Sequence, residues 1–186
     1  MRIISGKFKG KKIYLPKDDK TRPLKDIVKE SIFNVIDHSN KIKVDIKNSV
    51  ILDLFSGSGS FGLEAISRGA KKIFFVENYA NIIPILKKNI NSLECKNQCE
   101  LFQIDCFNFI TLKKKLEKNF DIIFLDPPYK EKKINVLIEE IINKKLLKKD
   151  GFLIIHRHKK DNIILTTKLK TFDTRVYGIS KIIFGS

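Results

Sequence analysis

The sequence predicts an α/β fold: a mostly parallel sheet with helices on both faces, preceded by a small basic β-appendage and a helix. Two observations carry this prediction. From residue 49 onward, short apolar runs alternate with longer stretches of helical periodicity, which is the pattern of strands buried on both faces and joined by crossover helices. A glycine-rich turn follows the first of those runs directly. The length of 186 residues suits one domain. With 42% hydrophobic residues and 14 Phe, the chain can bury a core, which excludes wholesale disorder.

The expected strands are Val50 to Leu54, Lys72 to Glu77, Cys99 to Ile104, Asp121 to Leu125 and Gly151 to His156, all rich in Ile, Val, Leu and Phe. Between them the spacing predicts helices over Phe61 to Arg68 (closed by Gly69), Ile82 to Leu93 with Pro84 in its first turn, Phe107 to Leu116, and Ile134 to Leu147. Thr171 to Tyr177 and Ser180 to Phe184, separated by Gly178-Ile179, read as a terminal antiparallel hairpin.

Residues 1 to 48 form the expected appendage and helix, and 49 to 186 the sheet domain. Gly6 and Gly10 punctuate Ile3-Ile4 and Ile13-Tyr14-Leu15. Ile27, Val28, Ile32, Val35 and Ile36 then recur at helical spacing, with Pro23 suited to the first turn.

Thirty-seven Lys and Arg against 21 Asp and Glu give a formal net charge of +16, which argues for a polyanionic partner. The excess is densest over residues 1 to 25, where nine basic residues face only Asp18 and Asp19. A general enrichment in Lys from codon usage is the competing explanation. Cys95, Cys99 and Cys106 form an odd set without a CxxC pair, so neither a disulfide framework nor a zinc knuckle is expected. No apolar run approaches the ~18 residues of a membrane span, and a cytoplasmic protein is expected.

Two constellations carry chemistry. Asp53-Leu54-Phe55-Ser56-Gly57-Ser58-Gly59-Ser60-Phe61-Gly62 satisfies GxGxxG between a strand and a helix, so the backbone can approach a nucleotide-like ligand near the helix amino terminus. Glu77, at the end of the next strand, is placed to accept hydrogen bonds from ribose hydroxyls. Both NAD and S-adenosylmethionine carry such a ribose.

The second constellation, Asp126-Pro127-Pro128-Tyr129, stands just beyond an apolar strand, where ligands bind in open parallel sheets. An exocyclic amine on a nucleobase is a poor nucleophile because its lone pair is delocalised into the ring. A carboxylate and a proline carbonyl that accept its two N–H bonds pull it toward tetrahedral geometry and localise that pair, while Tyr129 stacks on the base.

Together these motifs resemble the class I, Rossmann-like S-adenosylmethionine-dependent methyltransferases that modify exocyclic amines. More narrowly, Met1 to Gly10 (MRIISGKFKG), Arg22-Pro23, Lys29 to Asn34 (KESIFN) and Gly62 to Ala70 (GLEAISRGA) are similar to the RsmD family, and the resemblance covers nearly the whole chain.

The resemblance implies a seven-stranded sheet whose one antiparallel strand comes from the terminal hairpin. It also implies methylation of the N2 amine of a guanine in small-subunit (16S) ribosomal RNA, with the assembled small subunit as substrate, S-adenosylhomocysteine as product, no metal, and a monomer. Asp126, Pro127, Pro128 and Tyr129 are then the catalytic set. Gly57 and Gly59 line the methionine portion of the cofactor with Phe55 among the cofactor-binding residues, Asp53 orders the glycine loop or a water, Glu77 holds the ribose, and Asp105 with Cys106 and Phe107 meets the adenine. Phe107 stacks on that ring or opens the next helix as a core residue. Arg2, Lys7, Lys9, Lys11, Lys12, Arg22 and Lys29 are the expected RNA contacts.

The chain departs from the family pattern at Leu24 and Lys29, where Thr and Arg are common, and at His156-Arg157-His158, where an acidic residue is frequent. Those histidines are expected to be solvated or to face RNA. Three rival readings weigh against the main one. A DNA adenine-N6 methyltransferase shares the tetrapeptide but usually carries a larger recognition region. A dinucleotide-dependent oxidoreductase leaves Asp126 to Tyr129 idle, and a non-catalytic RNA-binding module leaves both motifs idle.

Overall fold

The computed structural model describes residues 1–17, 24–111, 119–162 and 164–186. In chain order its elements are α1 (Asp26–His38), β1 (Val50–Leu54), α2 (Ser60–Ser67), β2 (Lys72–Val76), α3 (Ile83–Ser92), β3 (Cys99–Phe102), α4 (Cys106–Thr111), β4 (Phe120–Leu125), α5 (Ile134–Asn143), β5 (Leu147–His158), β6 (Thr171–Tyr177) and β7 (Ser180–Gly185). The seven strands form one sheet in the order β3-β2-β1-β4-β5-β7-β6. Pairs among β1 to β5 are parallel, and β7 runs antiparallel to both β5 and β6.

Strand side chains alternate between two cores, one on each face of the sheet. Ile51, Ile73, Phe75, Ile122, Phe124 and Ile154 pack with α1, α2 and α3, while Leu52, Phe74, Val76, Ile123, Leu125 and Ile155 pack with α4 and α5. Strand order reverses at β1, whose neighbours are β2 on one side and β4 on the other. In such sheets the crevice beyond the strand ends at that reversal is the ligand-binding position.

Several boundaries differ from expectation for local reasons. Helix α5 stops at Asn143 rather than Leu147 because Lys145 adopts a left-handed conformation (φ 50°) and the Leu146 amide reaches back to the Ile141 carbonyl at 3.0 Å. This Schellman-type ending carries Lys where Gly is usual, so the sequence offers no stop signal. Strand β5 begins at Leu147, four residues before the expected Gly151, because it runs through the exposed Lys148-Lys149-Asp150 with a bulge against β4. Helix α4 is described to Thr111, and the rest of the expected Phe107 to Leu116 helix lies outside the described residues, as does Pro23.

Among its described residues the amino-terminal appendage makes one isolated antiparallel bridge, Arg2 with Lys12, rather than a strand pair. Its Ile3 and Ile13 are buried in the same core as α1 and α2. The Gly6 backbone lies so close to the end of α2 that a Cβ there would sit 1.9 Å from the Ser67 carbonyl oxygen, and its φ of 81° also favours glycine. Lys7 N–H then donates to that carbonyl at 2.7 Å.

Glu64, fully buried on α2, accepts the Ile4 and Ser5 amides at 2.8 and 2.9 Å and the Arg68 Nε–H at 3.0 Å. It also faces Lys29 Nζ at 3.5 Å. Lys29 was expected to contact RNA, and the structure corrects this. Its side chain is 0% exposed, donates to the Arg2 carbonyl at 2.9 Å and pairs with Glu64, so it offers no charge to a phosphate. Position 29 belongs to the inward face of α1 with Val28, Ile32, Phe33 and Ile36. Burial pulls the Lys29 amine below its ordinary range, against the opposing pull of Glu64 and Asp26.

These contacts give a stability prediction. Glu64→Ala strands the buried Lys29 ammonium and two backbone amides, which costs roughly 3–5 kcal/mol, or about 6–20 °C in Tm for a domain of this size. Lys29→Met leaves Glu64 with three N–H donors and is expected to cost less. Thermal unfolding of the two variants side by side checks the order, and an equal or larger loss for Lys29→Met contradicts it.

Candidate active site

The loop after β1 is held by its own serine. Ser56 Oγ donates to the Asp53 carbonyl at 2.6 Å and accepts the Val76 amide at 2.9 Å, tying the loop to β2. Phe55, half-buried, adopts φ 59°, a conformation that costs a non-glycine residue on the order of 1–3 kcal/mol and tends to occur at functional sites. The three glycines are not equivalent. A Cβ on Gly57 would meet no atom within 4 Å, so its backbone faces open space. Gly59, at φ 80°, lies against Leu86, which a Cβ would meet at 2.4 Å. On α2, a Cβ at Gly62 would strike Phe75 at 2.4 Å, so that glycine lets the helix settle on β2.

Three carboxylates gather where these strands end. Asp53 Oδ2 accepts the Gly62 amide at 3.1 Å and so orders the glycine loop. Burial pushes the Asp53 carboxyl well above the usual carboxylate range; the Gly62 amide opposes this, and the charges of Asp126 and Glu77 add to it. Glu77 follows β2 and accepts three backbone amides, from Gly57 (2.8 Å), Asn78 (2.9 Å) and Tyr79 (2.8 Å). A carboxylate offers about four acceptor sites, so acceptor capacity remains on Glu77 beyond these three amides.

Beyond β3, Asp105 Oδ1 accepts the Phe107 and Asn108 amides at 2.9 and 3.1 Å and caps α4. Cys106 is buried with its Sγ 4.0 Å from the Val76 carbonyl, and burial pushes its thiol far up. Phe107 is half-buried, packed against the core under α4 and α5.

The Asp126 loop closes the constellation. The Asp126 amide donates to the Leu54 carbonyl at 3.3 Å, joining the ends of β4 and β1. Its Oδ1 lies 2.7 Å from His156 Nδ1, and His156 Nε2 lies 2.9 Å from Ser180 Oγ. Arg157 is 2% exposed, and its guanidinium donates to the carbonyls of Pro128, Tyr129 and Glu131 at 3.2 Å each while pairing with Asp161. The carbonyl of the buried Pro127 takes none of these donors. The half-buried Tyr129 ring stands edge-on to His158 and His156, with centroids 5.1 and 6.3 Å away.

The expectation that His156 is solvated or faces RNA is therefore corrected, because it is 7% exposed and bonded to Asp126. The sequence shows only that it ends an apolar strand; that this strand lies beside the one carrying Asp126 comes from the structure. Asn89 on α3 was also missed. Fully buried, it exchanges hydrogen bonds with the Tyr14 backbone (2.8 and 3.0 Å) and donates to the Ser58 carbonyl at 2.9 Å, so it links the appendage to the glycine loop. Arg2, Lys7, Lys9, Lys11 and Lys12 are exposed, and Arg22 lies outside the described residues. Lys12 and Lys88 ammonium groups lie 5.6 and 3.8 Å from the Tyr14 ring centroid.

The donor set fits S-adenosylmethionine. It offers a carboxylate after β2, a second after β3, and a glycine loop whose Gly57 backbone is open. Among the described residues, no group of three His, Cys, Asp or Glu side chains is placed to hold a metal ion.

The family model named Conserved hypothetical protein 95 matches residues 1–186. Ribosomal RNA small subunit methyltransferase D of Buchnera aphidicola subsp. Acyrthosiphon pisum is 38% identical over 88% of this chain and 81% of its own length. A solved candidate methylase from Haemophilus influenzae is 29% identical over 100% of this chain and 97% of its own, with a TM-score of 0.76. A second structure, SMU.776, a candidate methyltransferase complexed with SAH, shares the fold at 17% identity over 83% of this chain and 48% of its own, with a TM-score of 0.66. By sequence and by the order of its seven strands, the chain belongs to the Conserved hypothetical protein 95 family, the RsmD family of class I S-adenosylmethionine-dependent methyltransferase fold.

Proposed function

We propose that the protein transfers a methyl group from S-adenosylmethionine to the exocyclic N2 amine of a guanine in small-subunit ribosomal RNA, acting as a cytoplasmic monomer on the assembled small subunit. One observation carries the reading: the Asp126 to Tyr129 loop and the glycine loop leave neighbouring parallel strands at the same end of the sheet, bonded through Asp126 N–H and the Leu54 carbonyl. The relatives named ribosomal RNA small subunit methyltransferase D support the substrate class.

In this reading Glu77 holds a ribose hydroxyl, Asp105 reaches the adenine amine through its second oxygen, and the open Gly57 backbone borders the methionine portion. When bound, the cofactor supplies an electrophilic methyl group on a sulfonium, so the protein's task is orientation and polarisation. Asp126 Oδ2 and the Pro127 carbonyl accept the two N–H bonds of the amine, and Tyr129 stacks on the base. As nitrogen gains its fourth bond it becomes cationic, and its proton leaves to Asp126 or to solvent. Arg157 keeps the loop in shape by holding the three carbonyls that follow. The exposed Arg2, Lys7, Lys9, Lys11 and Lys12 meet phosphates.

Methyl transfer to small subunits, free 16S RNA and DNA, followed by mass mapping of the product, tests the assignment. Methylguanine in the small-subunit RNA is expected, and N6-methyladenine in DNA would replace the reading. Asp126→Ala is expected to lower turnover by roughly 100-fold or more with cofactor affinity little changed. Near-normal turnover would remove its role.

Glu77→Ala is expected to show the reverse pattern, with cofactor binding weaker by about 1–3 kcal/mol in calorimetry. Unchanged affinity would reject Glu77 as the ribose ligand. For RNA, neutralising Lys9, Lys11 and Lys12 is expected to flatten the salt dependence of binding by roughly 0.7–0.9 of a log unit for each phosphate that the variant no longer neutralises. Neutralising Lys71, Lys96 and Lys149, exposed at the opposite end of the strands, is expected to change it little. Equal effects would return the charge to general Lys enrichment.

A further inference from the structure

We infer that His156 is a positioning residue for the methyl transfer: its Nδ1–H holds one oxygen of Asp126, so that the other is aimed at the substrate amine. The inference rests on the reading of Asp126 above and adds residues that the motif does not contain.

The direction of the hydrogen bonds follows from the groups themselves. An ionised carboxylate only accepts, so the atom 2.7 Å from Asp126 Oδ1, His156 Nδ1, carries the hydrogen. In the neutral imidazole Nε2 is then bare, and the Ser180 hydroxyl 2.9 Å away donates to it. Ser180 is 4% exposed on β7 and His156 7% exposed on β5, so both partners are fixed by paired strands rather than by a loop. The Asp126 side chain, 21% exposed, is the open end of the chain. No described residue donates to its Oδ2.

Serine, histidine and aspartate in this order are the parts of a hydrolase triad, yet the arrangement is inverted. In a hydrolase the serine is exposed and the carboxylate buried. Here the serine is buried and the carboxylate faces the crevice, so Asp126 fixes the tautomer, Ser180 anchors the ring at Nε2 and His156 orients the reacting group. The need is physical. A lone carboxylate at the end of a strand rotates about its Cβ–Cγ bond, and an amine becomes nucleophilic only when both its N–H bonds are held in the right plane. Misplacement by about 1 Å can cost on the order of 100-fold in rate.

Steady-state kinetics on small subunits, with cofactor affinity measured by calorimetry, tests this using five full-length variants. His156→Ala is expected to lower kcat by at least about 10-fold while cofactor Kd and the KM for the subunit stay within about 2-fold. In His156→Asn the side-chain amide takes the place of Nδ1, and it is expected to restore kcat to within about 3-fold of the parent. In His156→Gln the amide lies at the Nε2 position, and it is expected not to do so. Ser180→Ala keeps the bond to Asp126 and is expected to lower kcat less than His156→Ala does.

Asp126→Ala separates two kinds of failure. If it is inactive while His156→Ala keeps kcat within about 2-fold, this inference is overturned and the function stands. If Asp126→Ala itself keeps its turnover, the functional reading falls. Should His156→Ala fail to fold, the Asn and Gln variants decide, and equal activity in the two overturns the positioning role.

Discussion

The site depends on the register between β1 and β4. Leu54 stands opposite Leu125, so the two strands end together, and the next residue on each, Phe55 and Asp126, opens a different loop into the same crevice. The Asp126 amide bonded to the Leu54 carbonyl continues the ladder one step past the strands. A shift of one residue would reverse every side chain on β4 between the two cores, and both cores are filled. Burial of Ile122, Phe124, Ile123 and Leu125 therefore fixes where the Asp126 carboxylate stands relative to the glycine loop. Packing chosen for stability sets the geometry needed for chemistry.

Bringing Asp53, Glu77 and Asp126 to one end of the sheet has an electrostatic cost that the structure divides unequally. Asp53 is wholly buried, so its ionised form is disfavoured and its work is structural, holding the first turn of α2. Glu77 is satisfied by three backbone amides and Asp126 by His156. The negative charge that remains faces the crevice, where in the proposed reaction it would suit a cationic sulfonium and an amine that becomes cationic during transfer.

Much of this was legible in the sequence because it depends on local periodicity. Five apolar runs gave the parallel strands within a few residues, and both motifs fell at strand ends. What was not legible depends on neighbours across the sheet. His156 and Arg157 look like a basic surface segment in one dimension, since nothing in the chain says that β5 pairs with β4 and places them beneath the Asp126 loop. Lys29 failed for a related reason. Its charge suggested an RNA contact, whereas its spacing with Val28, Ile32 and Ile36 put it inside, and its partner Glu64 lies 35 residues away. Lys145 shows a third kind of failure, in which a helix ends through a left-handed residue that is not glycine.

Under the proposed function, the appendage puts RNA contact and cofactor binding on one frame. Its turn is fastened to α2 by Glu64, Ser67 and the close approach of Gly6, and its outgoing end to α3 by Asn89. Helix α2 begins directly after the glycine loop, and Asn89 also holds the Ser58 carbonyl inside that loop. The exposed lysines at 7, 9, 11 and 12 thus sit on a segment with no core of its own, held by the elements that shape the cofactor site. Charge on a flexible tail would raise affinity for any RNA. Held on α2 and α3, the same charge stands at a set distance from the Asp126 carboxylate, and under the proposed function that distance is what would let a small domain select one base.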